Sequence, residues 1–269
     1  MDKIKGEELR FGFGRNWEAY IRKYYSEERV QISKQLLLRF LGIADLAQKY
    51  FLDVGCGSGL HSLAALRAGA SRIVSFDFDS KSVSTTRKLR EYADNPECWE
   101  IKQGSILDTD FIGTLEPADI TYAWGVLHHT GDMWKAIENT ARLVKEGGLL
   151  YLALYTPGTM PPSDGFWLNV KQEYNLASWL TKRKMELWYL WRFLLGRNPR
   201  NIPNLIRLNL NYRKERGMAL YTDIVDWLGG WPMEFADIEQ VKNFCASKLD
   251  MTLINIKTGE ANTEYLFRK

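Results

Sequence analysis

The sequence predicts an α/β fold: a mainly parallel, seven-stranded sheet that ends in an antiparallel hairpin, with helices before it and a cap inserted into it. Three observations point there. Short apolar runs alternate with helical periodicity from about residue 50 to residue 155. The last two strand-like runs, 251–257 and 263–268, are separated by only Thr258 to Asn262. That gap is too short for a crossover, so the two must pair as a hairpin. Between Pro157 and Ala236 the composition changes, with six of the ten Trp and six of the eight Pro in that stretch.

In chain order, residues 1–49 read as helical. Trp17, Tyr20, Ile21 and Tyr24 recur at three- and four-residue spacing, as do Ile32, Leu36, Leu37 and Phe40. Residues 50–54 are a short apolar run stopped by glycine, which predicts a buried strand. Residues 60–68 are rich in Ala and Leu and predict a helix. A second strand is expected at 72–76, then a helix capped by Ser80 and running to Tyr92. Strands follow at 99–103 and 120–124. A helix from Met133 to Val144 is expected to stop at Gly147-Gly148, before a fifth strand at 149–155. A last helix spans 238–249. Right-handed crossovers make the first five strands parallel. The expected organisation is a helical segment 1–49, a core 50–156, an inserted Trp- and Pro-rich substrate cap 157–236, and a completing helix and hairpin 237–269.

A chain of 269 residues with 45% apolar and 26% charged residues can bury a full core, which excludes disorder. No apolar run reaches the roughly 18 residues of a spanning helix, and Met1 to Glu8 hold no apolar signal core. Cys56, Cys98 and Cys245 are scattered and odd in number, poor material for disulfides or zinc. A soluble, cytoplasmic protein is expected. The net charge of +3 permits an anionic partner without demanding nucleic acid.

The sharpest local signal is Asp53-Val54-Gly55-Cys56-Gly57-Ser58-Gly59, between a strand and a helix. Alternating glycines let a ligand approach the backbone where a Cβ would clash, and the helix end beyond them favours polar or anionic groups. Asp77, 18 residues after Gly59, ends the second strand, where a carboxylate can accept both hydroxyls of a ribose. A dinucleotide loop would read G-x-G-x-x-G, but Leu60 stands where its third glycine belongs. Asp53 would also repel a pyrophosphate, whereas it suits the cationic end of an amino-acid moiety.

With these residues the chain resembles the class I S-adenosylmethionine-dependent methyltransferases, which have a Rossmann-like sheet. Within them it is most similar to the small-molecule branch that includes the ubiquinone and menaquinone biosynthesis methylases. The resemblance covers about residues 48–156, and 237–269 by architecture. It implies S-adenosyl-L-methionine as cofactor, with Asp53, Gly55, Cys56, Gly57 and Gly59 in the cofactor loop. It makes Asp77 the ribose acceptor and Phe78 the apolar flank of the adenine. Gly104-Ser105-Ile106 resembles the adenine-contacting turn, although an acid more often stands at the Ser105 position. Trp124-Gly125 sits where the fourth strand meets the methionine portion. Trp17 and Tyr20, one helical turn apart, are expected to close over that end of the cofactor, with plain core packing as the alternative.

Methyl transfer needs an aligned nucleophile and, for a hydroxyl, a base. After the fourth strand stand His128 and His129, candidate catalytic residues. Neighbouring side chains diverge, so at most one should face an acceptor; the other reading is that both hydrogen-bond backbone or line the pocket. No carboxylate or cysteine at ligand spacing joins them, so no metal site is expected. His61 reads as a packing residue. The insertion carries 11 Lys/Arg against seven Asp/Glu. Its 182–195 stretch reads as a basic, Trp-rich helix, expected to pack on its own domain and alternatively to touch a membrane surface. Arg213, Lys214 and Arg216 are candidates for binding a carboxylate or phosphate.

The expected activity is methylation of a small molecule, on oxygen before nitrogen or carbon. Base-methylating enzymes usually carry an Asn/Asp-Pro-Pro-aromatic tetrad where this chain has Trp124-Gly125-Val126-Leu127, which argues against a nucleic-acid substrate. A lipid-linked or glycan substrate at the membrane, and a cofactor-binding partner protein without catalysis, are the remaining alternatives.

Overall fold

The computed structural model describes residues 9–216, 219–259 and 261–269, without the side chains of 213–216. The expectations at residues 1–8, and for the side chains of Arg213, Lys214 and Arg216, lie outside the described residues. Seven strands form one sheet in the order β3-β2-β1-β4-β5-β7-β6. They are β1 Tyr50–Val54, β2 Arg72–Asp77, β3 Trp99–Gln103, β4 Ala118–Trp124, β5 Val144–Tyr155, β6 Thr252–Thr258 and β7 Asn262–Arg268. β1 to β5 pair parallel, and β7 enters antiparallel between β5 and β6. The Rossmann-like sheet with its terminal hairpin is thus present.

Order reverses between β1 and β4: the chain winds outward to β2 and β3, then returns to β4 and β5. In open α/β sheets, ligands bind at such a switch point, beyond the carboxyl ends of the strands. Both segments singled out in the sequence lie there. The glycine loop leaves β1, and the His128-His129 turn leaves β4.

Among the described residues two helices precede the sheet, α1 Phe13–Tyr24 and α2 Glu27–Leu41. The crossover helices are α3 Leu60–Arg67, α4 Ser80–Arg90, the short α5 Thr109–Gly113 and α6 Met133–Arg142. α4 is capped by Asp79, whose carboxylate accepts from Lys81 N at 2.8 Å, and not by Ser80, its first residue. Asp is as good an N-cap as Ser, contributing about 1 kcal/mol. β5 begins at Val144 and runs through Gly147-Gly148. Those glycines sit in the strand instead of ending a helix, beside a register shift against β4 between Ala118 and Ile120.

One face of the sheet packs Leu52, Val74, Leu150, Leu152 and Phe267 under α6 and the last helix, α11 Ile238–Leu249. The other packs Phe51, Ile73, Ile120, Tyr122 and Tyr151 under α2, α3 and α4. The segment between β5 and α11 builds α7 Asp164–Leu176, α8 Trp179–Tyr189, α9 Ile202–Arg216 and α10 Leu220–Gly229. It has a third buried cluster of its own: Trp167, Tyr174, Tyr189, Ile224, Trp227 and Leu228. Its Trp residues therefore divide, and only some of them make a core.

Candidate functional site

The glycine loop is pinned from three sides. Cys56 N donates to Phe76 O at 3.0 Å, and its buried thiol, pushed upward in pKa by burial, lies 3.3 Å from the Thr86 hydroxyl. Gly57 N donates to Asp77 Oδ2 at 2.9 Å, and Asp79 N to Asp77 Oδ1 at 2.8 Å. Each carboxylate oxygen can accept more than one hydrogen bond, so Asp77 keeps capacity for a diol. Burial raises its carboxyl to about 6, against the pull of those two amides.

Gly57 has φ +53°, and a Cβ built there would stand 3.0 Å from the indole nitrogen of Trp17. The α1 tryptophan therefore lies over the loop. α1 is held in place by two residues just before this contact. Gly14 N donates to Asp79 Oδ2 at 2.9 Å, and Asn16 Nδ2 donates to Thr222 O and Asp226 Oδ1 at 2.9 and 2.8 Å. One helix thus links the inserted segment, the loop and the start of α4.

Tyr20, one helical turn on, meets the Trp17 ring edge-on at 5.9 Å. It is buried in the second core cluster, with Arg29 over its ring and 3.4 Å from its hydroxyl. Asp53 is buried. Its carboxylate accepts from Ser62 Oγ at 2.5 Å; Ser62 contacts Ser75 Oγ at 2.6 Å, which accepts from Trp99 Nε1 at 2.7 Å. Burial pushes Asp53 up to about 7. It ties β1 to α3, β2 and β3.

On the ribose side, the ring of Phe78 is 60% exposed, as an adenine flank would need to be. Gly104 N donates to Asp77 O at 3.0 Å, which brings the 104–106 turn beside Asp77. Ser105 Oγ accepts from Leu107 N at 3.1 Å, and Ile106 is buried in the first core cluster. Arg10, which the sequence gave no reason to choose, spans this region. Its guanidinium lies 5.2 Å from the centre of the Phe78 ring and donates to the carbonyls of His129 and Thr130 at 3.2 and 2.9 Å.

After β4, Trp124 points its indole to Glu264 of β7 at 3.4 Å, and Gly125 follows at φ +74°. A Cβ at Gly125 would meet nothing within 4 Å. The open face beside the switch point is therefore at Gly125, while the Trp124 ring belongs to the α2–α3 side with Tyr122 and His61. His61 stacks near both, at 5.2 and 6.3 Å, and burial lowers it to about 4.

His128 and His129 form a 3-10 turn under the returning segment 231–236. Glu234 N donates to His128 O at 2.8 Å, Met133 N donates to Glu234 Oε2 at 3.0 Å, and Ala236 N donates to Tyr155 O at 3.0 Å. His129 Nδ1 lies 2.7 Å from Pro232 O. A carbonyl only accepts, so Nδ1 carries the proton and Nε2 holds the lone pair. Burial lowers His129 to about 3, helped by Lys171 and Arg10. His128 differs: both ring nitrogens are sealed from solvent without a hydrogen-bond partner, and the ring packs 4.1 Å from Tyr155.

Beneath this pair the inserted segment contributes Lys171, fully buried on α7. Its ammonium donates to Trp227 O and lies 4.4 Å from the Trp227 ring and 6.0 Å from the Tyr155 ring. Desolvation lowers it to about 7, opposed by Asp226, whose own carboxyl burial pushes well up. Sequence reading missed Lys171 and Tyr155. The one available signal was a lysine between Val170 and Tyr174 in a Trp-rich stretch.

Residues 52–150 match the family model described as a methyltransferase domain. Among curated proteins, the tRNA U34 carboxymethyltransferase of Methylococcus capsulatus is 28% identical over 151 residues, 52% of this chain and 45% of that protein. The ribosomal protein L11 methyltransferase of Acinetobacter baylyi is 33% identical over 88 residues, 33% of this chain and 29% of that protein. The chain spans less than half the length of these relatives. Among solved structures, magnesium protoporphyrin IX methyltransferase from Synechocystis aligns over the whole of both chains, at 13% identity and a TM-score of 0.56.

Proposed function

We propose that the chain, whose residues 52–150 match a methyltransferase domain, works as a class I S-adenosylmethionine-dependent methyltransferase on an oxygen of a small molecule. The acceptor would bind between the carboxyl edge of the sheet and the inserted segment. The observation that carries this reading is the placement of two chemistries at one switch point. A glycine loop clamped by Asp77 leaves β1, and an oriented, neutral histidine leaves β4.

The residues present fit S-adenosylmethionine. Asp77 retains acceptor capacity for ribose hydroxyls, Phe78 offers an exposed ring, Trp17 covers the loop, and the backbone at Gly125 is open. When bound, S-adenosylmethionine supplies a methyl group already activated by its sulfonium. The protein's task is to align the acceptor and receive its proton. His129 suits that task through Nε2, because Pro232 fixes the ring and its tautomer. A base lowered to about 3 is weak toward a resting alcohol. An oxygen that gains a carbon becomes a far stronger acid than imidazolium, so the proton still passes downhill to Nε2 as the new bond forms. His128, sealed on both nitrogens, supports the wall of the site with Tyr155.

The cofactor half of this reading is tested by calorimetry. Asp77→Ala is expected to weaken S-adenosylmethionine binding at least about tenfold, the loss of charge-assisted hydrogen bonds. Unchanged affinity would remove Asp77 from the site.

A further inference from the structure

We propose that the outward face of α8, with the turn that follows it, docks on an anionic lipid bilayer. The inference is independent of the acceptor's identity. It starts from a helix whose two faces have opposite fates. The inner face belongs to the third core cluster. Tyr189 packs 5.9 Å from Trp167, and the buried Glu186 accepts from Tyr174 and Tyr221 at 2.8 and 2.6 Å while pairing with Arg183 at 2.7 Å.

The outer face exposes apolar groups, although Trp188 lies 6.2 and 5.4 Å from the rings of Phe166 and Phe193, and Arg183 5.9 Å from that of Trp179. Leu176, Trp179, Leu180 and Leu187 are 76%, 67%, 64% and 65% exposed, and Trp188 and Trp191 are 36% and 44% exposed. Leu180, Lys184, Leu187 and Trp191 recur at four- and three-residue spacing, which makes one stripe along the helix, while Leu176 ends α7 just before it. The backbone widens to a π-helical turn at Leu190–Leu194, so the stripe is carried past the end of α8. Contiguous exposure of large aliphatic and indole groups on this scale marks a contact surface and not ordinary solvent-facing residues.

Charge selects the occupant. Over residues 176–210 the chain has seven Lys/Arg and one acid, and that acid is the buried Glu186. Lys184, Arg192, Arg197 and Arg200 are exposed beside the apolar stripe. Their long stems reach past an apolar surface and place cations at headgroup level, while Trp favours the same depth. RNA would use the cations but has no use for exposed Leu176, Leu180 and Leu187. A second copy of this chain would bring like charge to like charge. A sheet of anionic headgroups over hydrocarbon satisfies both features. Among the described residues no helix is long and apolar enough to cross a membrane, so the helix would lie in the interface.

The test is sedimentation of the purified chain with phosphatidylglycerol-rich vesicles and with pure phosphatidylcholine vesicles. The wild-type chain is expected to bind the anionic vesicles, and to bind them less as salt rises. Leu187→Glu with Trp191→Glu should lower that binding at least about tenfold, and Lys184→Glu with Arg192→Glu by a similar factor. These side chains are exposed, so thermal stability and S-adenosylmethionine affinity should stay as in the wild type, which separates lost docking from lost folding. Absence of binding to the anionic vesicles would overturn the proposal. So would wild-type binding by the two apolar-to-acid changes, a dimer that those changes dissolve, or RNA binding that outcompetes the vesicles.

Discussion

Asp77, the last residue of β2, accepts a hydrogen bond from the backbone amide of Gly57 at 2.9 Å, across 20 residues of chain. Through it, the end of one strand sets the shape of the loop that leaves its neighbour. The same carboxylate is the proposed ribose acceptor, so loop shape and cofactor affinity rest on one group.

That coupling gives a pH dependence. Burial raises Asp77 from 3.8 to about 6, and accepted hydrogen bonds favour its ionised form. S-adenosylmethionine affinity should therefore be full above pH 7 and fall as pH drops through 6, by about tenfold at pH 5 for a group titrating near 6. Asp77→Asn should bind more weakly at neutral pH and lose the added fall below 6. A wild-type affinity flat from pH 5 to 8 by calorimetry would show that Asp77 is not titrating at the site.

His129 and His128 should separate in kinetics. His129→Ala is expected to lower kcat by about a hundredfold or more, with S-adenosylmethionine affinity preserved. His128→Phe, which keeps a ring against Tyr155, should leave turnover near wild type. Because burial lowers His129 to about 3, the wild-type kcat profile should show no histidine step near 6.5. Such a step, abolished by His129→Ala, would mean that this ring titrates normally.

Lys171 should leave a signature in stability. The folded protein holds its amine at about 7, while the unfolded chain keeps 10.5. Between those values the unfolded state binds the extra proton, so this group's contribution makes stability rise with pH from about 7 toward 10.5. Lys171→Met removes a charged amine from a buried place. It should make the protein more stable than wild type at pH 6, by about 1–4 kcal/mol, with the advantage shrinking toward pH 10. Denaturant unfolding at both pH values checks this; a constant difference would mean that the amine is not depressed.

Much of the fold was legible because its signals are local. The glycine run, the acid ending β2 and the short gap between the last two strands each depend on a few neighbouring residues. β3 and α11 fall where periodicity placed them. What was misread depends on tertiary context. Gly147-Gly148 has a helix-stop signature but lies in β5, where pairing with β4 and β7 decides. A lysine in a helix ordinarily reads as solvated, and nothing near Lys171 in sequence announces Trp227 O, 56 residues away. Composition likewise could not sort Trp167 and Trp227, which are buried, from Trp179 and Trp191, which are exposed.

Methyl transfer to a small molecule is measured by following labelled methyl from S-adenosylmethionine into a fractionated cell extract. Enzyme-dependent label is expected in the small-molecule fraction, released as methyl iodide when a methyl ether product is cleaved with hydriodic acid, and strongly reduced with His129→Ala. Label confined to RNA or protein, or a chain that fails to bind S-adenosylmethionine at all, would contradict transfer to a small molecule.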